Sequence, residues 1–157
     1  MPISTMSRTG GWHATGTVGT MAAAAAAARL LKTPATAIPD IMGITASLAS
    51  GVTANFGTMT KPLHAGQAAR NGILAVQLGS KGFTASAAAL EGRDGFLENF
   101  ARGLERTTEP FADLGKAYDL ETYGYKIKPY PSGGLGHTAI DAALELRSLA
   151  PVSDIAS

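Results

Sequence analysis

The chain has 157 residues, a formal net charge of +1 and no cysteine, which is the size of one ordinary domain. The near balance of basic and acidic residues gives no electrostatic footprint for nucleic acid or an anionic membrane. Without cysteine there is no disulfide, thiolate zinc site or cysteine-ligated iron–sulfur cluster. We expect a cytoplasmic protein, because residues 1–11 do not resemble a signal peptide. We expect no membrane span, because residues 41–60, although uncharged, are too polar to cross a membrane.

The charged residues are distributed unevenly along the chain. Only four of the 25 lie within residues 1–60, namely Arg8, Arg29, Lys32 and Asp40. Because a small free-standing domain exposes charged side chains on nearly every helix, we interpret the first sixty residues as an interior layer. A partner subunit, or a part of the protein outside this chain, would cover it. The alternative is that Ala, Thr and Ser provide a neutral but wettable surface.

The pattern of alanine runs, caps and helix breakers predicts an all-α fold, a helical bundle with at most one or two short strands. The first helix is Ala-rich, with Thr15 or Thr17 as its N-cap. The predicted helical segments are 15–31, 34–50 (or a start near Pro39), 62–79, a short turn capped by Thr84 and ended by Gly92, 94–101, 109–114 and 137–149. Residues 122–131 predict an extended connector, and residues 132–136 a Gly-rich turn.

Five side chains are candidates for a functional site. His13, His64 and His137 lie far apart in the sequence and form no pair with metal-binding spacing, and a lone histidine is more often structural. Lys61 and His64 lie three residues apart at a predicted helix start, where the positive end of the helix and the lysine would together favour an anion. Lys128 lies on a stiff segment with prolines, which suits it to bind a carboxylate. A solvated lysine is the alternative for both lysines.

Five short segments follow one another along nearly the whole chain, and their order and spacing are the basis of a family resemblance. They are GWHATGTVGT (11–20), GTMTKPLHAG (57–66), LEGRDGF (90–96), KPYP (128–131) and HTAIDA (137–142). In this order and spacing the chain resembles the MmgE/PrpD family, which includes 2-methylcitrate dehydratases, cis-aconitate decarboxylases and iminodisuccinate epimerases. The resemblance covers the middle of a family-length protein.

The resemblance implies a helical domain followed by a smaller α+β lid, usually in a homodimer. Residues 1–131 would then be a partial helical domain, and residues 132–157 the first helix of a truncated lid. Upstream helices, which carry an acidic and histidine-containing part of the family's active site, would be missing. We therefore expect a homo-oligomer, or a complementing fragment that carries the missing helices.

The resemblance also implies which residues act on a substrate. By position it makes His13, Lys61 and Lys128 catalytic, and it places Lys61, His64, Lys128 and Ser132 in substrate binding. The family's substrates are di- and tricarboxylates, and its shared step forms or breaks a bond next to a carboxylate. Fixed cations stabilise the negative charge of that step, and a neutral imidazole transfers protons near pH 7. No cofactor and no metal are implied.

Two functions follow as hypotheses. The first is a cofactor-free lyase or isomerase, similar to 2-methylcitrate dehydratase, that acts on a small di- or tricarboxylate and whose active site is incomplete in this chain. The second is a catalytically inactive remnant that serves as an oligomeric or interaction module. The sequence leaves open which polycarboxylate is bound, and whether the reaction is dehydration, decarboxylation or epimerisation.

Overall fold

The computed structural model describes residues 10–101, 115–116, 118–149 and 152–154. The chain divides into two compact units, Met1–Thr107 and Thr108–Ser157, and each is described by itself. The domain boundary that the resemblance predicts between residues 131 and 132 stays a prediction, because the two units only group residues of this chain that lie close together.

The described part of the first unit consists of helices and turns. Its helices are α1 (Ala14–Leu30), α2 (Ile38–Leu48), α3 (Thr60–Gly79) and α4 (Phe96–Phe100), with 3₁₀ turns at Ala35–Ala37 and Thr53–Asn55. The described residues contain no β-strand, and their β-type pairing is an isolated antiparallel bridge between Trp12 and Val52. The predicted all-α fold is confirmed. Within the described ranges, no helix is long and apolar enough to cross a membrane.

The starts of α1 and α2 differ in how well the sequence predicted them. Helix α1 begins after His13, which makes no side-chain cap, and the hydroxyl of Thr17 donates to the carbonyl of His13 at 3.3 Å. A threonine cap is therefore wrong, because this hydroxyl bonds the carbonyl four residues back, as threonines inside helices do. Helix α2 begins next to Pro39, one of the two predicted starts, since a proline in the first turn loses no helical hydrogen bond.

The main core lies between α1, α2 and α3. Its fully or nearly buried apolar side chains are Ala24, Ala28, Ile41, Ile44, Ala75 and Val76. Helices α1 and α3 pack closely at Gly72. A β-carbon at this residue would lie only 2.7 Å from the Ala23 β-carbon and the Ala24 nitrogen. The side-chain amide of Asn71 donates to the carbonyl of Leu48 at 3.0 Å. This bond attaches α3 to the end of α2.

A second cluster closes the unit around α4. Phe96 and Ala49 are its buried members, and the ring of Phe100 contacts the edge of Trp12 with centroids 4.8 Å apart. The predicted helix at 94–101 is thus confirmed as α4. In the preceding turn the N–H of Ala88 bonds the hydroxyl of Ser86, a local cap that the sequence assigned to Thr84.

The described part of the second unit contains two helices, α5 (Asp119–Tyr123) and α6 (His137–Arg147), and 3₁₀ turns at Gly134–Gly136 and Val152–Asp154. The predicted last helix is confirmed, and the predicted connector follows α5 as irregular chain. The hydroxyl of Tyr130 donates to a carboxylate oxygen of Asp141, and its ring meets the His137 ring edge to face. The helix predicted at 109–114 lies outside the described residues.

Candidate functional site

The segment before α1 is fixed against the segment after α2. The N–H of His13 donates to the carbonyl of Gly51 at 2.9 Å, and the N–H of Ser50 donates to the carbonyl of Gly16 at 3.3 Å. A side chain at Gly16 would overlap the carbonyl oxygen of Ser50. Glycine at this position therefore permits a close approach of the chain after α2. The backbone of His13 is held in place as a result.

Two histidine side chains meet at this junction. The Nδ1 atoms of His13 and His64 lie 2.9 Å apart, and the ring centroids are separated by 5.2 Å. His64, on the first turns of α3, is only 8% exposed, whereas His13 is half-buried. At this distance one Nδ1 carries a hydrogen and donates it to the lone pair of the other. The site is thus built on a hydrogen-bonded imidazole pair.

Gly51 makes room for that pair. Its φ of +124° is strained for any residue with a side chain, and a β-carbon there would lie 3.2 Å from Cγ and Nδ1 of His64. The absence of a side chain therefore lets the backbone lie directly against the His64 ring. Because the carbonyl of the same residue accepts the N–H of His13, Gly51 contacts both partners of the pair.

Lys61 and His13 contact the same aromatic ring, that of Phe56. Its ammonium nitrogen lies 4.7 Å from the ring centroid of Phe56, a cation–π contact. The same ring meets His13 edge to face, with centroids 4.8 Å apart. Lys61 itself is exposed, so its charge faces solvent while its position is set by Phe56.

The surroundings of His13 favour the neutral imidazole. Burial lowers the pKa of His13 below the usual value of 6.5, and the neighbouring His64 and Lys61 lower it further, in that order of importance. Burial acts by removing water from the charged form, and a positive charge on either neighbour acts by repulsion. Near pH 7 His13 is therefore a neutral ring that can accept a proton.

The start of α3 offers an anion fewer free backbone N–H groups than the N-terminus of a helix usually does. The N–H of Thr60 donates to the hydroxyl of Thr58, the N–H of Lys61 donates to the carbonyl of Thr58, and Pro62 has no N–H. Attraction of an anion here depends on the charge of Lys61 rather than on these first backbone donors.

Of the predicted site residues, the structure brings together His13, Lys61 and His64. Lys128 and Ser132 are exposed in the second unit. The sequence showed no histidine pair, because His13 and His64 are 51 positions apart, and it gave no role to Phe56, the one aromatic residue of the uncharged stretch 41–60. Within the described ranges no three His, Asp or Glu side chains are grouped so that they could hold a metal ion.

The family model for the MmgE/PrpD N-terminal domain matches residues 2–108. The chain belongs to the MmgE/PrpD family. All three clustered residues lie inside the part that matches this MmgE/PrpD domain, whereas Lys128 and Ser132 lie beyond it.

The curated relatives are members of the same MmgE/PrpD family. Cis-aconitate decarboxylase of Aspergillus terreus is 34% identical over 148 residues, which cover 90% of this chain and 30% of that enzyme. Cis-aconitate decarboxylase of Homo sapiens is 31% identical over 136 residues, which cover 87% of this chain and 28% of the enzyme. The chain therefore spans about 30% of the length of the curated relatives that it matches.

Proposed function

We propose that the chain supplies the histidine and lysine part of the active site of a lyase that acts on a small tricarboxylate. The observation that carries this proposal is the Nδ1–Nδ1 contact of His13 and His64 beside Lys61, inside the matched family domain. Decarboxylation is the reaction to test first, because the relatives are named cis-aconitate decarboxylases. Dehydration and epimerisation are the family's other reactions.

The proposed chemistry uses charge and proton transfer. Breaking a bond next to a carboxylate builds negative charge, and the ammonium group of Lys61 would stabilise it by binding a carboxylate. His13, neutral near pH 7, would accept or return the proton. No step requires a metal ion, since fixed cations and an imidazole supply both functions.

Lys128 and Ser132 are proposed substrate ligands on the family resemblance. Both are exposed, and Lys128 is followed by Pro129, which restricts the backbone next to it. The ammonium group of Lys128 could bind a carboxylate. The proposal for these two residues is independent of the cluster in the first unit.

The second candidate is an interaction module without catalysis of its own. Its support is the length ratio, because the relatives are about three times as long as this chain.

For the lyase, we propose that residues outside this chain complete the active site. The 157-residue chain alone is then expected to leave cis-aconitate, 2-methylcitrate and iminodisuccinate unchanged, as followed by proton NMR of each compound. A rate that disappears in His13→Ala would contradict this expectation and favour a complete enzyme.

Anion binding tests the proposed site apart from turnover. Citrate and cis-aconitate should bind weakly, with a Kd on the order of millimolar, because an exposed charge pair contributes only about 0–1 kcal/mol. Lys61→Ala should weaken binding more than Lys128→Ala, and added salt should weaken binding in all variants. Titration calorimetry measures each affinity.

Lys81→Ala is the matched control for Lys61→Ala. It removes the same charge just beyond the other end of α3, about 30 Å away for a helix of this length. Its affinity for citrate should match that of the unchanged chain. Equal citrate binding by the unchanged chain and by the Lys61→Ala/Lys128→Ala double variant would refute the proposed site.

A further inference from the structure

The contact between the two histidines restricts their protonation states. Only one hydrogen fits between Nδ1 atoms 2.9 Å apart, so in the neutral pair one ring carries its hydrogen on Nδ1 and the other carries it on Nε2. Two imidazolium rings would place hydrogens on both Nδ1 atoms and would repel each other. The pair therefore fixes complementary tautomers.

The His64 ring is the better-fixed partner. It is almost fully buried on α3, and the backbone of Gly51 lies against its Cγ and Nδ1. His13 is half-buried at the start of α1, and its backbone N–H is tied to the same Gly51. A rigid acceptor or donor on His64 would therefore set the ring orientation of His13.

We propose that His64 is a positioning residue, whose Nδ1 accepts the Nδ1–H of His13 and so keeps Nε2 of His13 free of hydrogen. Nε2 is then the nitrogen of His13 that takes a proton from the substrate. Lys61 supports this arrangement, because its ammonium group contacts the Phe56 ring that meets His13 edge to face, and a cation near His13 favours a lone pair over an N–H on that ring. The catalytic consequence rests on the proposed function, whereas the hydrogen bond does not.

This role differs from the one that the family resemblance implies for His64. The resemblance implies a substrate ligand, whereas the Nδ1 atom of His64 contacts His13 and the residue is only 8% exposed. In the proposed arrangement His64 acts on the substrate through His13. An effect of His64 on the reaction would therefore appear as a change in the protonation of His13.

Nitrogen-15 NMR of the imidazole side chains tests the pair without any substrate. The chain has three histidines, so His137→Gln leaves only the two paired rings in the long-range ¹⁵N–¹H spectrum. At a pH at which both rings are neutral, we expect Nδ1–H on His13 and Nε2–H on His64. Nε2–H on His13, or the same tautomer on both rings, would overturn the proposal.

Two substitutions of His64 separate hydrogen bonding from packing. In His64→Asn the amide oxygen lies close to the former Nδ1 position and can accept the same hydrogen, so His13 should keep Nδ1–H as its major form. In His64→Leu the volume is filled without an acceptor, so Nε2–H should become the major form of His13. The spectrum of either variant also assigns the His13 signal. Equal His13 tautomers in the two variants would contradict a positioning role, and circular dichroism confirms that both fold.

The outcome also separates this inference from the proposed function. If citrate fails to bind while the complementary tautomers are found, the proposed function fails and the positioning hydrogen bond stands. If citrate binds through Lys61 while His13 carries Nε2–H, the substrate site stands and the positioning role fails.

Discussion

At the scale of single residues, the site depends on residues that contact two partners each. Phe56 presents its face to the ammonium group of Lys61 and also meets the ring of His13 edge to face. Gly51 accepts the N–H of His13 and lies against the ring of His64. Several neighbours together therefore set the position and the protonation of His13. The protonation can be measured through the pH dependence of stability.

We expect the free energy of unfolding to fall as the pH is lowered through 6.5. The pKa of His13 is lower in the folded chain than the usual 6.5, so between these two values the unfolded chain binds more protons. Protonation then favours unfolding, and the contribution of His13 is lost fully below its lowered pKa. Denaturant titrations between pH 5 and pH 8 measure the change.

His13→Asn is the control for this pH dependence. Its amide lies near the former Nδ1 position and can still bond His64, but it does not titrate. The decrease in stability between about pH 7 and pH 5 should therefore be smaller in His13→Asn than in the unchanged chain. An identical pH profile would show that His13 is not the responsible group.

Part of the site was predictable at this scale, and part was not. The three-residue spacing of Lys61 and His64 placed them on one face of a helix start, because helical geometry is local. The contact of His13 with His64 crosses 51 positions and depends on the turn at Gly51, so no local period encodes it. His13 was singled out by family resemblance rather than by its own spacing.

At the scale of elements, the spacing of α1 and α3 is set by small side chains. The run of seven alanines at 22–28 favours a helix because alanine has the highest helix propensity, and it also leaves little bulk on the contact face. Such helices were predictable from the sequence. The cap of α1 was not, because the residues before it are held by hydrogen bonds to the chain after α2.

Two glycines of α3 provide a matched test of this packing. A β-carbon at Gly72 would press on Ala23 and Ala24 of α1, whereas nothing lies within 4 Å of one at Gly66. Gly72→Ala should lower the free energy of unfolding by about 1–3 kcal/mol, as overpacking does. Gly66→Ala should raise it by about 0.5–1 kcal/mol through helix propensity.

Chemical denaturation of the two variants gives both values. Because the two substitutions add the same methyl group to the same helix, the difference between them reports the contact with α1 alone. A stabilising Gly72→Ala would mean that α1 and α3 are not held at the described distance in solution.

At the scale of the whole molecule, the uncharged stretches 9–28 and 41–60 contain or border most of the site. They include His13 and Phe56, and Lys61 follows the second stretch directly. Exposed apolar side chains occur here as well, with Met59 91% exposed at the start of α3. Surfaces of this kind are typical of contacts between proteins, so the surroundings of the site are where we expect a partner to bind.

We therefore expect the chain to form a dimer or higher oligomer at micromolar concentration, with these stretches in the interface. Light scattering should give a mass of at least twice 16.0 kDa. Met59→Glu should shift the population toward monomer, because burying an unpaired carboxylate in an apolar interface is costly. Leu135→Glu adds the same charge at a fully exposed apolar residue of the second unit and should leave the mass unchanged. A monomer that binds no apolar dye would instead favour the neutral but wettable surface that Ala, Thr and Ser provide.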